Sequence, residues 1–374
     1  MRIAFYAPLK SPDHPVPSGD RRVARLLLEA MRRAGHDVRI ASRLRAFEGE
    51  GDRRRQDRIK KRGAALAHRY TLKHRSNPPD LWFTYHLYHK APDWLGPAVS
   101  AAFTIPYVAA EASVAPKRSD GPWAEGHAAI CDAVRMASRI LVLNPDDAEC
   151  LIPLLIGKER LVSLPPFLDT HALRKAANAR QTHREALTAR YGLRPESLWV
   201  AVTAMMRHGD KLDSYRLLAL AKRRLRDLPL TWLIAGDGPA RGEVETALGA
   251  LDTVYLGALD AAGIESLHAA ADFAVWPAVR EAFGMALLEA QAAGLPVVAG
   301  ASPGVAQIVA DGETGLLTPA GDDTMLADAV RRLVENPALR ERMRGAAMKK
   351  AERVHGIGAA TQRLDRVLRE ALSA

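Results

Sequence analysis

Two glutamates lie at positions where they could handle a phosphate-bearing ligand. Glu281 and Glu289 have seven residues between them in the segment EAFGMALLE, where a buried strand gives way to a helix near Gly284. The free N–H groups and partial positive charge of a helix N-terminus hold an anion. A nucleoside diphosphate sugar needs such a layout, with carboxylates for the sugar hydroxyls and the ribose diol on either side of the diphosphate. A capping acid and a solvated helix residue are the structural alternative.

Two cations follow the first strand of the second half of the chain. Arg207 and Lys211 lie in the segment MMRHGDK. Cations placed opposite a diphosphate neutralise charge on the leaving group, a role that a metal ion plays elsewhere, and pre-placed charge is often the largest contribution to catalysis. A solvated basic turn is the alternative for this pair.

The first half of the chain supplies further candidates. Gly19, in PSGDRR, lacks a Cβ and lets backbone N–H groups approach a distal phosphate at the start of the next helix. His86 and His89, in TYHLYHK at a strand end, and His127 in a following helix are candidate contacts for an acceptor. Because no third ligand lies at metal-like spacing, we expect no metal site there. Ordinary turn glycines and satisfied core or surface histidines are the alternatives.

The elements that must position these residues alternate between strands and helices. Apolar strands and helices of ten to fifteen residues follow one another in both halves, which predicts βαβ units and parallel sheets. The chain turns polar around residues 167–184, and the alternation then restarts. We expect an α/β fold of two doubly wound domains, residues 1–168 and 169–355, with a C-terminal helix over 356–374 that packs back on the first domain. In open α/β sheets, ligands bind beyond the carboxyl ends of the strands.

Five segments, in order along the chain, resemble the retaining glycosyltransferases of family 4. They are the Gly19 loop, AGDGP, VYLG, EAFGMALLEAQAAGLPVVA with its E-x7-E motif, and PGVAQIVADGETGLL. The resemblance covers nearly the whole chain and implies the GT-B fold, in which two Rossmann-like domains face a central cleft. It also implies a nucleotide-sugar donor, retention of the anomeric configuration, and no obligatory metal or cofactor.

The resemblance implies roles for the candidate residues. Glu281 would position the donor sugar and Glu289 the ribose, while Arg207 and Lys211 hold the leaving diphosphate at the helix that begins near Gly284. That diphosphate would itself deprotonate the acceptor hydroxyl in a front-face displacement. The further donor-side residues are Gly19, Gly236, Leu259, Phe283, Gly284 and Met285.

Two positions depart from the pattern of the family. Many members have a histidine after the segment that reads IPYVAA here, where this chain has Glu111, and Gln307 replaces a glutamate in the segment GVAQIV. A carboxylate at position 111 accepts a sugar hydroxyl or stabilises positive charge at the anomeric carbon. Glu111 is therefore a candidate catalytic residue, and the identity of the donor sugar is open.

Positive charge is concentrated in one segment. The chain carries 53 Lys and Arg against 43 Asp and Glu, and residues 43–75 hold twelve of these bases and four of the acids. Ile59, Leu66 and Tyr70 fall on one helical face there, which weakly resembles an interfacial helix for an anionic membrane. A solvated charge run is the alternative. Nucleic acid is disfavoured, because no recognition motif or aromatic series accompanies the charge.

Composition limits the class of protein. A chain with 48% apolar and 26% charged residues is neither disordered, collagenous nor a coiled coil. Two cysteines and the lack of an apolar run of about 18 residues favour the cytoplasm, with peripheral membrane contact. We expect a retaining hexosyltransferase that moves a sugar from a UDP- or GDP-sugar to a glycan or lipid-linked acceptor, in cell-envelope polysaccharide or glycolipid synthesis. The alternative is a nucleotide-sugar-binding or membrane-adaptor protein, or an epimerase, on the same fold.

Overall fold

The chain folds as two compact units. Unit 1 comprises residues 1–165 and 358–374, and unit 2 comprises residues 166–357. The computed structural model describes residues 1–16 and 18–373. Pro17, in the Gly19 loop, and Ala374, the last residue of the expected C-terminal helix, lie outside the described residues.

Unit 1 is built on a parallel sheet whose strands alternate with helices. The strands are β1 (Arg2–Tyr6), β2 (Asp37–Ser42), β3 (Leu81–Tyr88), β4 (Tyr107–Ser113), β5 (Arg139–Val142) and β6 (Leu161–Ser163). The helices between them are α1 (Gly19–Arg33), α2 (Arg53–Lys73), α3 (Gly96–Phe103), α4 (Ala124–Met136) and α5 (Asp146–Leu151). Across the sheet the order is β2-β1-β3-β4-β5-β6, with parallel pairing throughout.

Unit 2 repeats this architecture. Its strands are β7 (Leu198–Thr203), β8 (Leu230–Ala235), β9 (Thr253–Gly257), β10 (Phe273–Trp276), β11 (Val297–Gly300) and β12 (Gly315–Thr318). Its helices are α6 (His171–Asn178), α7 (Arg180–Tyr191), α8 (Asp210–Arg223), α9 (Arg241–Leu248), α10 (Ala261–Ala270), α11 (Met285–Ala292), α12 (Pro303–Ile308), α13 (Asp323–Glu335) and α14 (Pro337–His355). The sheet order is β12-β11-β10-β7-β8-β9, again parallel.

Helices cover both faces of each sheet, so the inner strands are apolar along their whole length. Every residue of β8, LTWLIA, and of β10, FAVW, is buried. A strand buried on both faces reads as a continuous apolar run, which is typical of parallel sheets. The expectation of two doubly wound, Rossmann-like domains is confirmed.

The last helix, α15 (Ile357–Leu372), returns to unit 1. Asp365 of α15 lies 3.1 Å from the buried His36 Nε2, just before β2. Glu370 lies 3.8 Å from Arg139 at the start of β5. These contacts attach the C-terminal helix to the sheet of unit 1.

Two strands differ from the sequence expectation. After the strand LPVVAG the sequence pattern shows only helices, but Gly315–Thr318 pairs in parallel with β11 as strand β12. The short strand β6 was also not predicted, and it pairs with β5. Both strands are of four residues or fewer, which is too short for a period of two to stand out from a loop.

No helix within the described residues combines the length and the apolar character needed to cross a bilayer.

Candidate functional site

The loop after β10 has a backbone conformation that needs support. Ala278 and Arg280 have φ angles of +54° and +48°, in a left-handed region that residues with a Cβ rarely occupy. Each such residue costs on the order of 1 kcal/mol or more. The Val279 N–H between them donates a 3.0 Å hydrogen bond to Ser214 Oγ of α8, and Arg280 pairs with Asp210 at 2.5 Å. The start of α8 therefore fixes this loop from one side.

Helix α12 fixes the same loop from the other side. Ser302, the N-cap of α12, donates a 2.9 Å hydrogen bond from Oγ to the Glu281 carbonyl. Gly304 lies so close to the loop that a Cβ there would stand 1.6 Å from the Ala282 carbonyl oxygen. Only glycine permits this approach. The backbone of Glu281 is thus held by α12 while its neighbours are held by α8.

A group of three hydrogen-bonded side chains in unit 2 is called the Glu281 cluster below. It consists of Glu281, Lys211 and Trp276. Lys211 Nζ donates a short hydrogen bond to Glu281 Oε2, and Trp276 Nε1 donates to the same oxygen at 3.1 Å. The ammonium also lies 5.2 Å from the centre of the Trp276 ring, within cation–π range. Among the described residues none donates a hydrogen bond to Oε1. Because the Glu281 side chain retains 16% exposure, Oε1 is available to a ligand.

Helix α11 begins directly after the Glu281 cluster, and no side chain caps its N-terminus. Gly284 is the N-cap, with φ +71°, and makes no side-chain cap hydrogen bond. The unpaired N–H groups of a first turn and the partial positive charge of the helix suit an anion. Phe283 and Met285, on either side of this glycine, are half-buried, and so is Glu289 further along α11. The expected sequence of acid, helix start and second acid is therefore present in the structure.

Arg207 lies apart from the Glu281 cluster. It is exposed in the loop between β7 and α8, and its carbonyl accepts a 3.1 Å hydrogen bond from the Leu212 N–H. Within the described part of the chain, no ion pair includes the Arg207 guanidinium. The structure therefore brings Lys211 to Glu281, while Arg207 faces solvent.

Gly236 and Leu259 lie after β8 and β9. A Cβ on Gly236 would stand 1.9 Å from the Ala204 carbonyl oxygen, so this glycine lets the chain after β7 pass close to the end of β8. The Gly236 N–H donates a 2.9 Å hydrogen bond to the Gly257 carbonyl. Leu259 is half-buried directly before Asp260, the N-cap of α10. Gly236 has a clear packing role, and its contact with a donor remains a prediction, as does that of Leu259.

In unit 1, two neighbouring strands carry the same backbone irregularity. His86 in β3 and Glu111 in β4 have φ angles of +58° and +56°. The pairings around them are regular, with Tyr85 opposite Ala110 and Leu87 opposite Ala112. His86 and Glu111 therefore stand at the same level of the sheet, each in a conformation that costs on the order of 1 kcal/mol or more.

These two side chains meet Asp20 in the first turn of α1. His86 Nδ1 lies 3.0 Å from Asp20 Oδ1 and 3.7 Å from Glu111 Oε1. Burial lowers the pKa of His86, but the two carboxylates outweigh it and raise that pKa above its ordinary value. The hydrogen bond from His86 lowers the pKa of Asp20, whereas burial raises the pKa of Glu111. The structure thus brings Glu111 and His86 together. Gly19 lies near them because the next residue, Asp20, contacts His86.

Asp20 was not among the predicted residues. It follows Gly19 directly in PSGDRR, and an acid in a first helical turn is usually explained by the helix dipole alone. Its approach to His86, 66 residues further along the chain, is visible only in the folded sheet.

His89 and His127 have different surroundings. The His89 ring packs edge-on against Trp123, with 5.9 Å between ring centres, and burial lowers the pKa of His89. His127 is buried in α4, where its Nε2 lies 3.6 Å from Cys131 Sγ one turn away. His127 is thus a buried side chain, and its contact with an acceptor remains a prediction.

The apolar residues of α2 face the core of unit 1. Tyr70 packs edge-on against Trp82, with 5.6 Å between ring centres, and Leu66 packs against the same buried cluster. Of the helical face formed by Ile59, Leu66 and Tyr70, the last two residues therefore pack against the core of unit 1. The cations of 53–62 are exposed, so any attraction of this helix to an anionic surface is electrostatic.

Comparison with known proteins identifies part of unit 2. Residues 213–350 match the family described as "Glycosyl transferases group 1". This range begins two residues after Lys211 and contains Trp276, Glu281 and the whole of α11. Most of unit 2 is therefore similar to the group 1 glycosyl transferases.

Two curated proteins are similar to parts of the chain. Alpha-D-kanosaminyltransferase of Streptomyces kanamyceticus is 33% identical over 256 residues, which are 66% of this chain and 63% of that protein. Phosphatidyl-myo-inositol mannosyltransferase of Mycobacterium leprae is 41% identical over 112 residues, which are 29% of this chain and 30% of that protein. The chain thus spans less than two thirds of the length of these relatives.

A solved structure matches along the full length. HepE of Anabaena in complex with UDP has a TM-score of 0.75 and 16% identity, covering 99% of this chain and 100% of that one. At this level of identity the likeness shows the fold alone. It confirms the GT-B fold that the sequence predicts.

Proposed function

We propose that this chain, most of whose unit 2 is similar to the group 1 glycosyl transferases, is a retaining glycosyltransferase of family 4 that requires neither metal nor cofactor. It moves a sugar from a nucleotide-sugar donor to a glycan or lipid-linked acceptor. The observation that carries the proposal is the Glu281 cluster, placed directly before the uncapped N-terminus of α11. The free carboxylate oxygen suits the hydroxyl groups of such a donor. The ammonium and the helix N-terminus suit its diphosphate.

Each part of the cluster has its own task. Oε1 of Glu281 accepts hydrogen bonds from hydroxyl groups of the donor sugar, while Lys211 and Trp276 hold Oε2 and so orient the carboxylate. The N-terminus of α11 binds the diphosphate. The Lys211 ammonium then offsets charge that grows on the diphosphate as the glycosidic bond breaks, because fixed positive charge near a leaving group lowers the barrier.

The remaining steps follow the roles implied by the family. The departing diphosphate removes the proton of the acceptor hydroxyl, and the acceptor attacks from the same face, so the anomeric configuration is retained. Glu289 binds the ribose diol, and the exposed Arg207 turns toward the diphosphate when the donor is bound. Gly236, Leu259, Phe283 and Met285 complete the donor side, and Gly19 admits the distal phosphate.

A similar solved structure supports a UDP-sugar as donor, and a GDP-sugar is the second candidate. The solved HepE structure contains UDP, and the curated relatives are named as a kanosaminyl- and a mannosyltransferase. Donor choice in this chain rests on the residues that surround the sugar, of which Glu111 departs from the family pattern. We assign the chain to the synthesis of cell-envelope polysaccharide or glycolipid.

We assign the basic segment 43–75 to peripheral binding at the cytoplasmic face of a membrane. A groove of about 890 Å³ lies between residues 44–50 and α2, and Arg55, Arg58 and Arg62 line it together with Phe47 and Ile59. Glu48 and Glu50 also line the groove, and Glu50 pairs with Arg55 at 2.9 Å. The guanidinium groups of Arg58 and Arg62 beside Phe47 and Ile59 suit a phosphate that is linked to a lipid. Peripheral attraction to an anionic leaflet brings the enzyme to a lipid-linked acceptor.

A panel of nucleotide sugars tests the proposed function. Thermal unfolding and the release of nucleoside diphosphate are measured with UDP- and GDP-sugars, with EDTA present and absent. We expect one donor to raise the melting temperature and to be turned over equally well in EDTA. A chain that binds donors but releases no diphosphate with any acceptor would be a binding protein, which contradicts the proposal.

A further inference from the structure

The facing residues His86 and Glu111 turn their side chains to one place in unit 1. Both have positive φ values at the same level of adjacent strands. Backbone strain of this kind persists only where the surroundings hold it, and it clusters at functional sites. Here both side chains meet Asp20, through distances of 3.0 Å between Asp20 and His86 and 3.7 Å between His86 and Glu111.

This place, called the acidic cluster below, holds more negative than positive groups. Asp20, Glu111 and Asp147 supply three carboxyl groups, and the charges of all three raise the pKa of the His86 imidazole. Asp147 lies in the first turn of α5, close enough for its charge to act on both His86 and Glu111. Burial raises the pKa of Glu111 and that of Asp147. The attraction of His86 therefore does not outweigh the effect of burial on these two carboxyl groups.

One atom of the cluster lacks a partner. Glu111 is only 8% exposed, and among the described residues its Oε2 has no hydrogen-bond partner. The Tyr85 hydroxyl acts on this carboxyl group and lowers the pKa of Glu111, but it makes no hydrogen bond to Oε2. Buried polar atoms in proteins are nearly always paired. The side chains of His86 and Asp20 retain 20% and 35% exposure, so these two members of the cluster are open to solvent.

We infer that the acidic cluster binds the ammonium group of an amino sugar, with Glu111 Oε2 as the principal acceptor. An ammonium supplies three N–H donors and a positive charge, whereas a sugar hydroxyl supplies one donor and no charge. Only the ammonium both satisfies the buried oxygen and offsets the excess of carboxyl groups. The inference deepens the proposed function, on which it rests, by naming amino sugars as the substrate class.

Binding of three simple sugars to the full chain tests the inference. D-glucosamine carries the ammonium, N-acetyl-D-glucosamine carries an uncharged amide in its place, and D-glucose carries a hydroxyl. Their dissociation constants are measured by NMR titration at pH 7. We expect glucosamine to bind at least about tenfold more tightly than the other two, because charge-assisted hydrogen bonds are roughly twice as strong as neutral ones.

Matched variants assign the preference to Glu111. Glu111→Gln keeps the shape of the side chain and should abolish the preference for glucosamine, and Asp147→Asn should weaken it. Glu149→Gln changes an exposed acid of α5 outside the cluster and should leave it intact. Melting temperatures show that each variant is folded, and Asp147→Asn remains informative if Glu111→Gln fails to fold.

Three outcomes would overturn the inference: equal binding of the sugars by the wild type, absence of glucosamine binding up to its solubility limit, or a preference that survives in both variants. Release of nucleoside diphosphate without any preference for amino sugars overturns the inference and leaves the proposed function standing. A preference for glucosamine in a chain that transfers no sugar overturns the proposed function and leaves the amine site standing.

Discussion

The Lys211 ammonium donates a hydrogen bond to the Glu281 carboxylate across 70 residues of sequence, and the Trp276 indole donates to the same oxygen. Oε2 of Glu281 therefore accepts two hydrogen bonds, while Oε1 accepts neither of them. The contact between Lys211 and Glu281 also places a fixed positive charge beside the start of α11, where a diphosphate is proposed to bind.

Replacement of Lys211 by methionine should lower kcat more than it raises KM for the donor. The ammonium is proposed to act mainly as charge develops on the leaving group, and loss of one such interaction typically lowers kcat by about 100-fold or more. Steady-state kinetics with the preferred donor give both constants. Lys349→Met, at an exposed position of α14, is the matched control and should behave as wild type. A kcat within threefold of wild type would exclude Lys211 from this role.

Replacement of Gly304 by alanine should displace the loop that carries Glu281. A Cβ at this position would stand 1.6 Å from the Ala282 carbonyl oxygen, and relief of such an overlap typically costs 1–3 kcal/mol. Urea unfolding should show a loss of about 2 kcal/mol in the free energy of unfolding, together with reduced transfer.

Gly345→Ala is the matched control for that substitution. A Cβ on Gly345, inside α14, meets nothing within 4 Å, so alanine there should stabilise the chain by up to about 1 kcal/mol through helix propensity. Equal stability of the two variants would contradict the proposed support of the loop by α12.

The stability that His86 contributes should depend on pH. Its pKa is raised in the folded chain because Glu111 and Asp20 outweigh the effect of burial. A raised pKa means that the folded state binds the proton more tightly than the unfolded state, so the contribution is complete below the ordinary histidine pKa of 6.5 and is lost as pH rises through the folded value.

Melting temperatures of wild type and His86→Gln, measured between pH 5.5 and 9, test this dependence. The difference between the two proteins should be largest at the acid end and shrink as pH rises. His14→Gln, at a half-buried position outside the acidic cluster, serves as the control. A difference that grows with pH would contradict the assigned direction.

Removal of charge from α2 should weaken binding to anionic vesicles and leave donor binding unchanged. Each exposed Lys or Arg near an anionic surface contributes about 1 kcal/mol. The residues to be changed together to glutamine are Arg53, Arg54, Arg58, Lys61 and Arg62. Sedimentation with phosphatidylglycerol vesicles measures the effect, and 0.5 M salt should remove wild-type binding as well.

A triple variant in unit 2 controls for net charge. Arg226, Arg342 and Arg353 are exposed, and their replacement by glutamine should affect vesicle binding little. If the α2 variant and the unit 2 variant lose vesicle binding equally, the total charge of the chain governs binding and the α2 surface does not.

The sequence predicted the parts of the molecule that local pattern controls. The alternation of apolar strands and helices follows from burial on both faces of a parallel sheet, as in LTWLIA of β8. The start of α11 at Gly284 follows from the breaker residues and the apolar run after it. Short strands such as β12 have too few residues for this signal.

Contacts between distant segments could not be predicted from local pattern. Nothing near Lys211 indicates that it meets Glu281 rather than solvent, and Arg207, in the loop just before α8, does face solvent. The Ser214 and Ser302 hydroxyl groups that hold the loop carry no sequence signal. The left-handed conformation shared by His86 and Glu111 likewise depends on the sheet and on Asp20.

Glu281 is proposed to position the sugar of a nucleotide donor. The variant Glu281→Gln tests this role because it removes the charge of the carboxylate and keeps the shape of the side chain. Release of nucleoside diphosphate from the preferred donor is measured for wild type, Glu281→Gln and the exposed control Glu196→Gln, with melting temperatures alongside. We expect a loss of at least about 100-fold in Glu281→Gln at an unchanged melting temperature, with Glu196→Gln equal to wild type. Release by folded Glu281→Gln at the wild-type rate would contradict this role of Glu281.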